Sequence, residues 1–205
     1  MIIKWNFEDT IINILEAKGM RTKILQFCKN IHNFKLSEGG KRIYSTPNAG
    51  GNSVISEVLS YEVLNDYLSG VKLLHTELEL EYDYDSKITD YSILVDGEPI
   101  GVSVTRCMKY RGKLTKWDAR RLLNKKMKGI VESSEAISEK HSWKKQILHV
   151  WVEHPYMVKI LQDVYKERDI RDISPDTLLV LTVMGSHQHQ ATDLFYERDK
   201  MAKFY

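Results

Sequence analysis

The period of the apolar positions changes several times along the chain. In residues 7–34, Ile11, Ile12 and Leu15, then Ile24, Leu25, Cys28 and Ile31, recur at helical spacing, with Gly19 as a break. This predicts one or two helices. Residues 37–52, SEGGKRIYSTPNAGGN, concentrate Gly, Ser, Asn and Pro and predict a loop. A helix is expected from Asn52 or Ser53, either of which can cap it. Its apolar residues Val54, Ile55, Val58, Leu59, Tyr61, Leu64 and Leu68 wrap most of the circumference, as in a helix enclosed by protein, and Gly70 ends it. Residues 74–82 then alternate with period two: Leu74, Thr76, Leu78 and Leu80 on one face, His75, Glu77, Glu79 and Glu81 on the other. A turn at 83–86 leads to a second strand, 87–95. Asp96-Gly97 is a hairpin signal before a third strand, 100–106.

Thr115 and Asp118 have capping-box spacing and open a helix with Trp117, Leu123, Met127, Ile130 and Val131 on one stripe. A fourth strand at 146–152, a helix at 156–168, a fifth strand at 177–183 and a short helix within the last twenty residues complete the pattern. The order α, β, β, β, α, β, α, β predicts an α/β fold: a mixed central sheet flanked by helices on both faces, with an N-terminal helical extension. The chain divides into 1–52 (helical extension and loop), 53–183 (α/β core) and 184–205 (tail).

Composition narrows the class. The chain has 205 residues, 42% apolar and 28% charged, as in one soluble globular domain. Two cysteines exclude a disulfide scaffold and a four-cysteine zinc site. No apolar run is long enough to span a bilayer, so no membrane association is expected. The N-terminus MIIKWNFEDT lacks the pattern of a secretory leader, and an intracellular location is expected. Thirty basic and 28 acidic residues nearly cancel, but they are unevenly placed. Arg106–Lys128 holds ten Lys or Arg against one acid, Asp118, while residues 77–85 hold five acids and no base. Two solvated faces of opposite sign are one reading. The other is a basic surface for a phosphate backbone beside carboxylates that hold a metal.

Asp90 is the leading candidate for chemistry. In ITDYSI it shares a strand face with Ile88, Ser92 and Leu94, where a carboxylate is costly unless hydrogen-bonded or bound to a cation. On the third strand, Gly101, Ser103 and Thr105 make a small polar face, with room for water, a metal or a ligand; close packing of a helix would use the same residues. Glu57 lies near the start of the helix before the strands, and Glu62 competes with it. His187 and His189 share a face in an extended chain, without a further ligand nearby. No Gly-rich phosphate loop is present, and neither cysteine carries a nucleophile signature.

The order α–β–β–β–α–β, with a helix glutamate and a second-strand aspartate, resembles the PD-(D/E)XK nuclease-like superfamily over about residues 53–183. The resemblance implies phosphodiester hydrolysis of DNA or RNA with Mg²⁺ or Mn²⁺. Carried over, Glu57 matches the helix acid and Asp90 the second-strand acid, and both are expected to hold the metal. Ser103 and Thr105 stand where the family places its third-strand acid and lysine, and Thr89 where it has proline. Ser103 and Thr105 would then orient water, and Arg120 or Lys116 would stabilise phosphate charge, since helical spacing turns both toward the sheet. Glu79 could supply a further acid. The missing acid and lysine leave a second reading open: a catalytically inactive nuclease-like fold that binds nucleic acid or protein. The enclosed helix and the N-terminal helices also offer a surface for a homodimer or a protein partner.

Overall fold

The computed structural model describes residues 25–27, 35–47, 53–68, 70–109 and 111–184. Six strands form one mixed sheet in the order β1-β6-β5-β4-β3-β2. They are β1 (Leu25–Phe27), β2 (Lys72–Thr76), β3 (Tyr91–Val95), β4 (Glu98–Cys107), β5 (Lys145–Val152) and β6 (Leu178–Met184). The pairs β2/β3 and β3/β4 are antiparallel, whereas β4/β5, β5/β6 and β1/β6 are parallel. Asp96 (φ 50°) and Gly97 (φ 84°) form the two-residue connection between β3 and β4. Positive φ at both positions suits the right-handed twist of the flanking strands.

The parallel strands need helical crossovers. Helix α3 (Lys116–Ala136) joins β4 to β5, and α4 (Pro155–Tyr165) with α5 (Arg168–Arg171) joins β5 to β6. Thr115 caps α3 reciprocally with Asp118, as the spacing predicts. On this side Leu123, Met127, Leu148, Val150, Leu161 and Leu181 share one core. The opposite face of the sheet is covered by α2 (Val54–Tyr67), itself covered by α1 (Glu38–Ser45). Ile55, Leu59, Ile93, Ile147 and Trp151 lie in that second core. Every residue of α2 from Val54 to Leu64 is buried, in line with apolar positions all round it.

A polar chain crosses this second core. His149 of β5 meets Ser60 of α2 through Nδ1 (2.6 Å) and Thr182 of β6 through Nε2 (2.7 Å), and Ser60 also meets the Tyr91 hydroxyl at 2.7 Å. Burial holds His149 neutral and pushes its pKa down to about 3. The network ties α2 to three strands.

The mixed, helix-flanked sheet is as expected, but several elements differ from the sequence reading. Leu25–Phe27, inside an expected helix, is a strand parallel to β6, with Leu25 opposite Thr182. Three residues are too few for periodicity to separate strand from helix. The expected loop at 37–52 contains α1, capped by Ser37, whose hydroxyl accepts from the Gly40 N–H at 3.2 Å. Its glycines allow α1 to approach α2 closely: a Cβ on Gly40 would fall 2.1 Å from Glu62 Oε1. The first long strand stops at Thr76, opposite Tyr91, and residues 77–79 form a single helical turn. That turn closes because the Glu79 carboxylate reaches back to the Thr76 N–H at 2.7 Å. The tail at 184–205 lies outside the described residues except for Met184.

Candidate functional site

The ten-residue strand β4 is longer than its antiparallel neighbour. Strand β3 pairs with Glu98–Val102 only, and from Ser103 to Cys107 β4 pairs only with β5. The other edge of β4 is therefore open past Val102, and two side chains occupy it. The Val104 N–H donates to Asp90 Oδ2 at 2.6 Å, and the Val104 carbonyl accepts from Lys126 Nζ of α3 at 3.3 Å. Both backbone groups of Val104 are satisfied by charged partners in place of a strand.

A cleft of about 290 Å³ opens at this point. Ser53, Ser56 and Glu57 line it from the start of α2, and Glu77 from the turn after β2. Asp90, Val104, Thr105, Arg106 and Lys126 complete it. Three carboxylates and two cations thus share one concavity at the sheet edge. Glu57 (2% exposed) and Glu77 (8% exposed) are buried, and Asp90 is half-buried. Withdrawal from water pushes the Asp90 carboxyl up to about 6, with the Glu77 charge adding to the effect. The Lys126 ammonium and the Val104 N–H oppose it without cancelling it. A carboxylate in this state gains from a further cation.

The lining fits a hard divalent ion. Carboxylate and hydroxyl oxygens suit Mg²⁺ or Mn²⁺, which take one or two carboxylates and leave further positions to water and phosphate. Ser56 Oγ supports the fit independently: it is buried on the cleft wall and has no hydrogen-bond partner. Among the described residues, no three acidic, His or Cys side chains already converge on a single metal-sized point. Glu57, Glu77 and Asp90 are the carboxylates that could hold such an ion.

The expected site residues separate into two groups. Glu57, Asp90 and Thr105 meet at the cleft. Asp90 occupies a bend one residue ahead of β3, not the interior of a strand. Ser103 is turned elsewhere; its hydroxyl donates to Gln146 Oε1 at 3.4 Å, in a buried cluster with Thr89 and Ser133. Arg120 does not face the sheet. Its guanidinium pairs with Glu167 and Asp169 at the start of α5, and Lys116 pairs with the same Glu167 at 2.6 Å. Helical arithmetic puts Arg120 and Lys126 on opposite flanks of the buried stripe, and carboxylates at 167–169 draw the first of them outward. Glu79 pairs with Arg42 at 2.6 Å, outside the cleft. Glu62 accepts from the N–H and the hydroxyl of Ser37, both at 2.8 Å, so it secures α1. Cys107 is buried and its thiol is pushed up to about 12, which excludes a ready nucleophile. His187, His189 and Cys28 lie outside the described residues.

The sequence reading missed Glu77, Lys126 and Ser56. Glu77 looked like one of four polar residues on a regular strand face. Lys126 was one of ten bases in a row, although its position three after Leu123 and four before Ile130 places it beside the buried stripe. Nothing local marks Ser56.

Comparison with known proteins adds a relative but no activity. The AAC-rich mRNA clone AAC4 protein of Dictyostelium discoideum is 46% identical over 140 residues, 64% of this chain and 20% of that protein. The chain thus spans a small part of that relative's length. No family model matches, and no solved structure matches. No helix among the described residues is long and apolar enough to cross a membrane.

Proposed function

We propose that this chain is a nuclease-like protein whose cleft hydrolyses phosphodiesters in nucleic acid with Mg²⁺ or Mn²⁺. One observation carries the reading: Asp90 and Lys126, held on the open edge of β4, share one cleft with Glu57 and Glu77, and burial raises the Asp90 carboxyl to about 6. This resembles the expected nuclease-like arrangement, with the acid and the lysine supplied by neighbouring elements in place of the third strand.

Glu57, Glu77 and Asp90 would hold the ion, and Val104 fixes Asp90 by its N–H. Once bound, the ion would polarise the phosphate and lower the pKa of a water coordinated to it. Lys126, anchored on the Val104 carbonyl, places a positive charge where phosphate charge develops. Ser56 Oγ offers a hydrogen bond to a water or a phosphate oxygen. Thr105 and Arg106 border the space that a phosphate would enter.

The test is cleavage of single- and double-stranded DNA and RNA by the full chain with Mn²⁺, Mg²⁺ or EDTA. Metal-dependent cutting is expected, falling at least about 10²-fold in Asp90→Ala. The lack of a carboxylate at Ser103 and Thr105 favours the second reading, an inactive binding fold. Tight metal-independent binding without cutting by the wild type would establish that reading and remove the first.

A further inference from the structure

Helix α3 has a second charged surface, separate from the cleft. Trp117, Arg121, Lys125 and Lys128 recur at intervals of four, four and three, and all are exposed. Lys126 points the other way, into the cleft. Trp117 is 64% exposed, more than any other large apolar side chain among the described residues. The Arg121 guanidinium lies over its ring, 4.8 Å from the centroid. Three neighbouring cations are neutralised: Lys109 by Asp118, Lys116 by Glu167, and Arg120 by Glu167 and Asp169. Among the described residues, Arg121, Lys125 and Lys128 form no ion pair. The exposed acids Glu132 and Glu135 bound the stripe at its far end.

We propose that this stripe, Trp117–Arg121–Lys125–Lys128, is a docking track for single-stranded nucleic acid. A run of unneutralised cations ending in an exposed aromatic ring matches a polyanion that carries flat rings. The helical rise makes the track about 16 Å long, on the order of four nucleotides. An unpaired base can stack on Trp117, whereas duplex bases keep their faces against one another. An anionic membrane fits less well. Interfacial helices bury a broad apolar face, and that of α3 (Ala119, Leu123, Met127, Ile130) is already in the core. The idea of the strand as substrate rests on the proposed nuclease function, but the docking step needs neither the metal nor Asp90.

The experiment is fluorescence anisotropy of a labelled oligo-dT and an oligo-U of twenty nucleotides with the full chain in EDTA. Each is titrated at several salt concentrations and competed with hairpin duplex or phosphatidylserine vesicles. Binding is expected to weaken at least tenfold in Arg121→Glu/Lys125→Glu/Lys128→Glu and several-fold in Trp117→Ala, with Trp117→Phe restoring most of it. The salt dependence should lose about two units of slope in the triple variant. All four side chains are exposed, and circular dichroism of each variant verifies the fold. Unchanged affinity in the triple variant overturns the proposal, as does competition by duplex or vesicles equal to that by single strands. A chain that binds without cutting counts against the nuclease reading alone, and one that cuts equally well without the stripe counts against the track alone.

Discussion

At the scale of single residues, Asp90 shows how position determines chemistry. Its Oδ2 completes the backbone bonding of Val104, so the residue is structural as well as a candidate ligand. Both roles favour the ionised carboxylate, and burial opposes it by raising the pKa to about 6 from an ordinary 3.8. An acid with a raised folded-state pKa contributes stability that is present below about pH 4 and lost as pH rises through about 6. Asp90→Asn keeps an acceptor for Val104 and removes the ionisation. The variant should be more stable than the wild type at pH 8 by about 1–2 kcal/mol, and equal to it at pH 3.5. A shift of this size corresponds to ~3 kcal/mol, reduced here because Asp90 keeps some solvent contact. Urea unfolding at the two pH values measures the difference. Mn²⁺ should raise the wild-type midpoint at pH 8 and leave Asp90→Asn unmoved, since only a ligand that favours the folded state stabilises it. Equal midpoints for the two proteins at pH 8 would remove the electrostatic basis of the site.

At the scale of elements, α3 works through three flanks. Its buried stripe joins the core with α4, one flank sends Lys126 to β4, and the other sends Arg120 to α5. The two cations look alike in sequence, yet their substitutions should separate cleanly. Under the proposed hydrolysis, Lys126→Ala should lower the cleavage rate about 10²-fold with little change in binding. Arg120→Ala should leave the rate unchanged and cost less than about 1 kcal/mol of stability, as exposed ion pairs do. Single-turnover rates and thermal melts of both variants distinguish these outcomes. The capping pair of α3, the enclosed character of α2 and the Asp96-Gly97 hairpin were legible because each depends on residues close in sequence. The early end of β2 was not, because a strand ends where its partner does. Thr76 stands opposite Tyr91, the first residue of β3, and nothing in residues 74–82 encodes that register.

At the scale of the whole molecule, the described residues ahead of α2 contribute to both the sheet and the core. Strand β1 covers the outer edge of β6, and Leu36 and Ile43 are buried in the core shared with α2. A chain starting at Ser53 should therefore lose at least about 4 kcal/mol, two large apolar side chains at ~2–3 kcal/mol each. It should also self-associate through the uncovered edge of β6. Thermal melts and light scattering of the truncated and full chains test this; a monomeric truncated form with an unchanged melting midpoint would show that the region is dispensable.

The alternation of periods in the sequence was enough to establish an α/β chain with a mixed sheet covered on both faces, because strand and helix burial repeat at different intervals. It also singled out Glu57, Asp90, Ser103, Thr105 and Arg120, of which Glu57, Asp90 and Thr105 line the cleft. Tertiary structure alone decided that β4 outruns β3, which left an edge for Asp90 and Lys126 to fill. It alone brought Glu77 and Ser56 to the same cleft and carried Arg120 and Ser103 away from it. The physical reason is that electrostatic neighbours and open strand edges depend on contacts between residues tens of positions apart, and local pattern carries no record of those contacts.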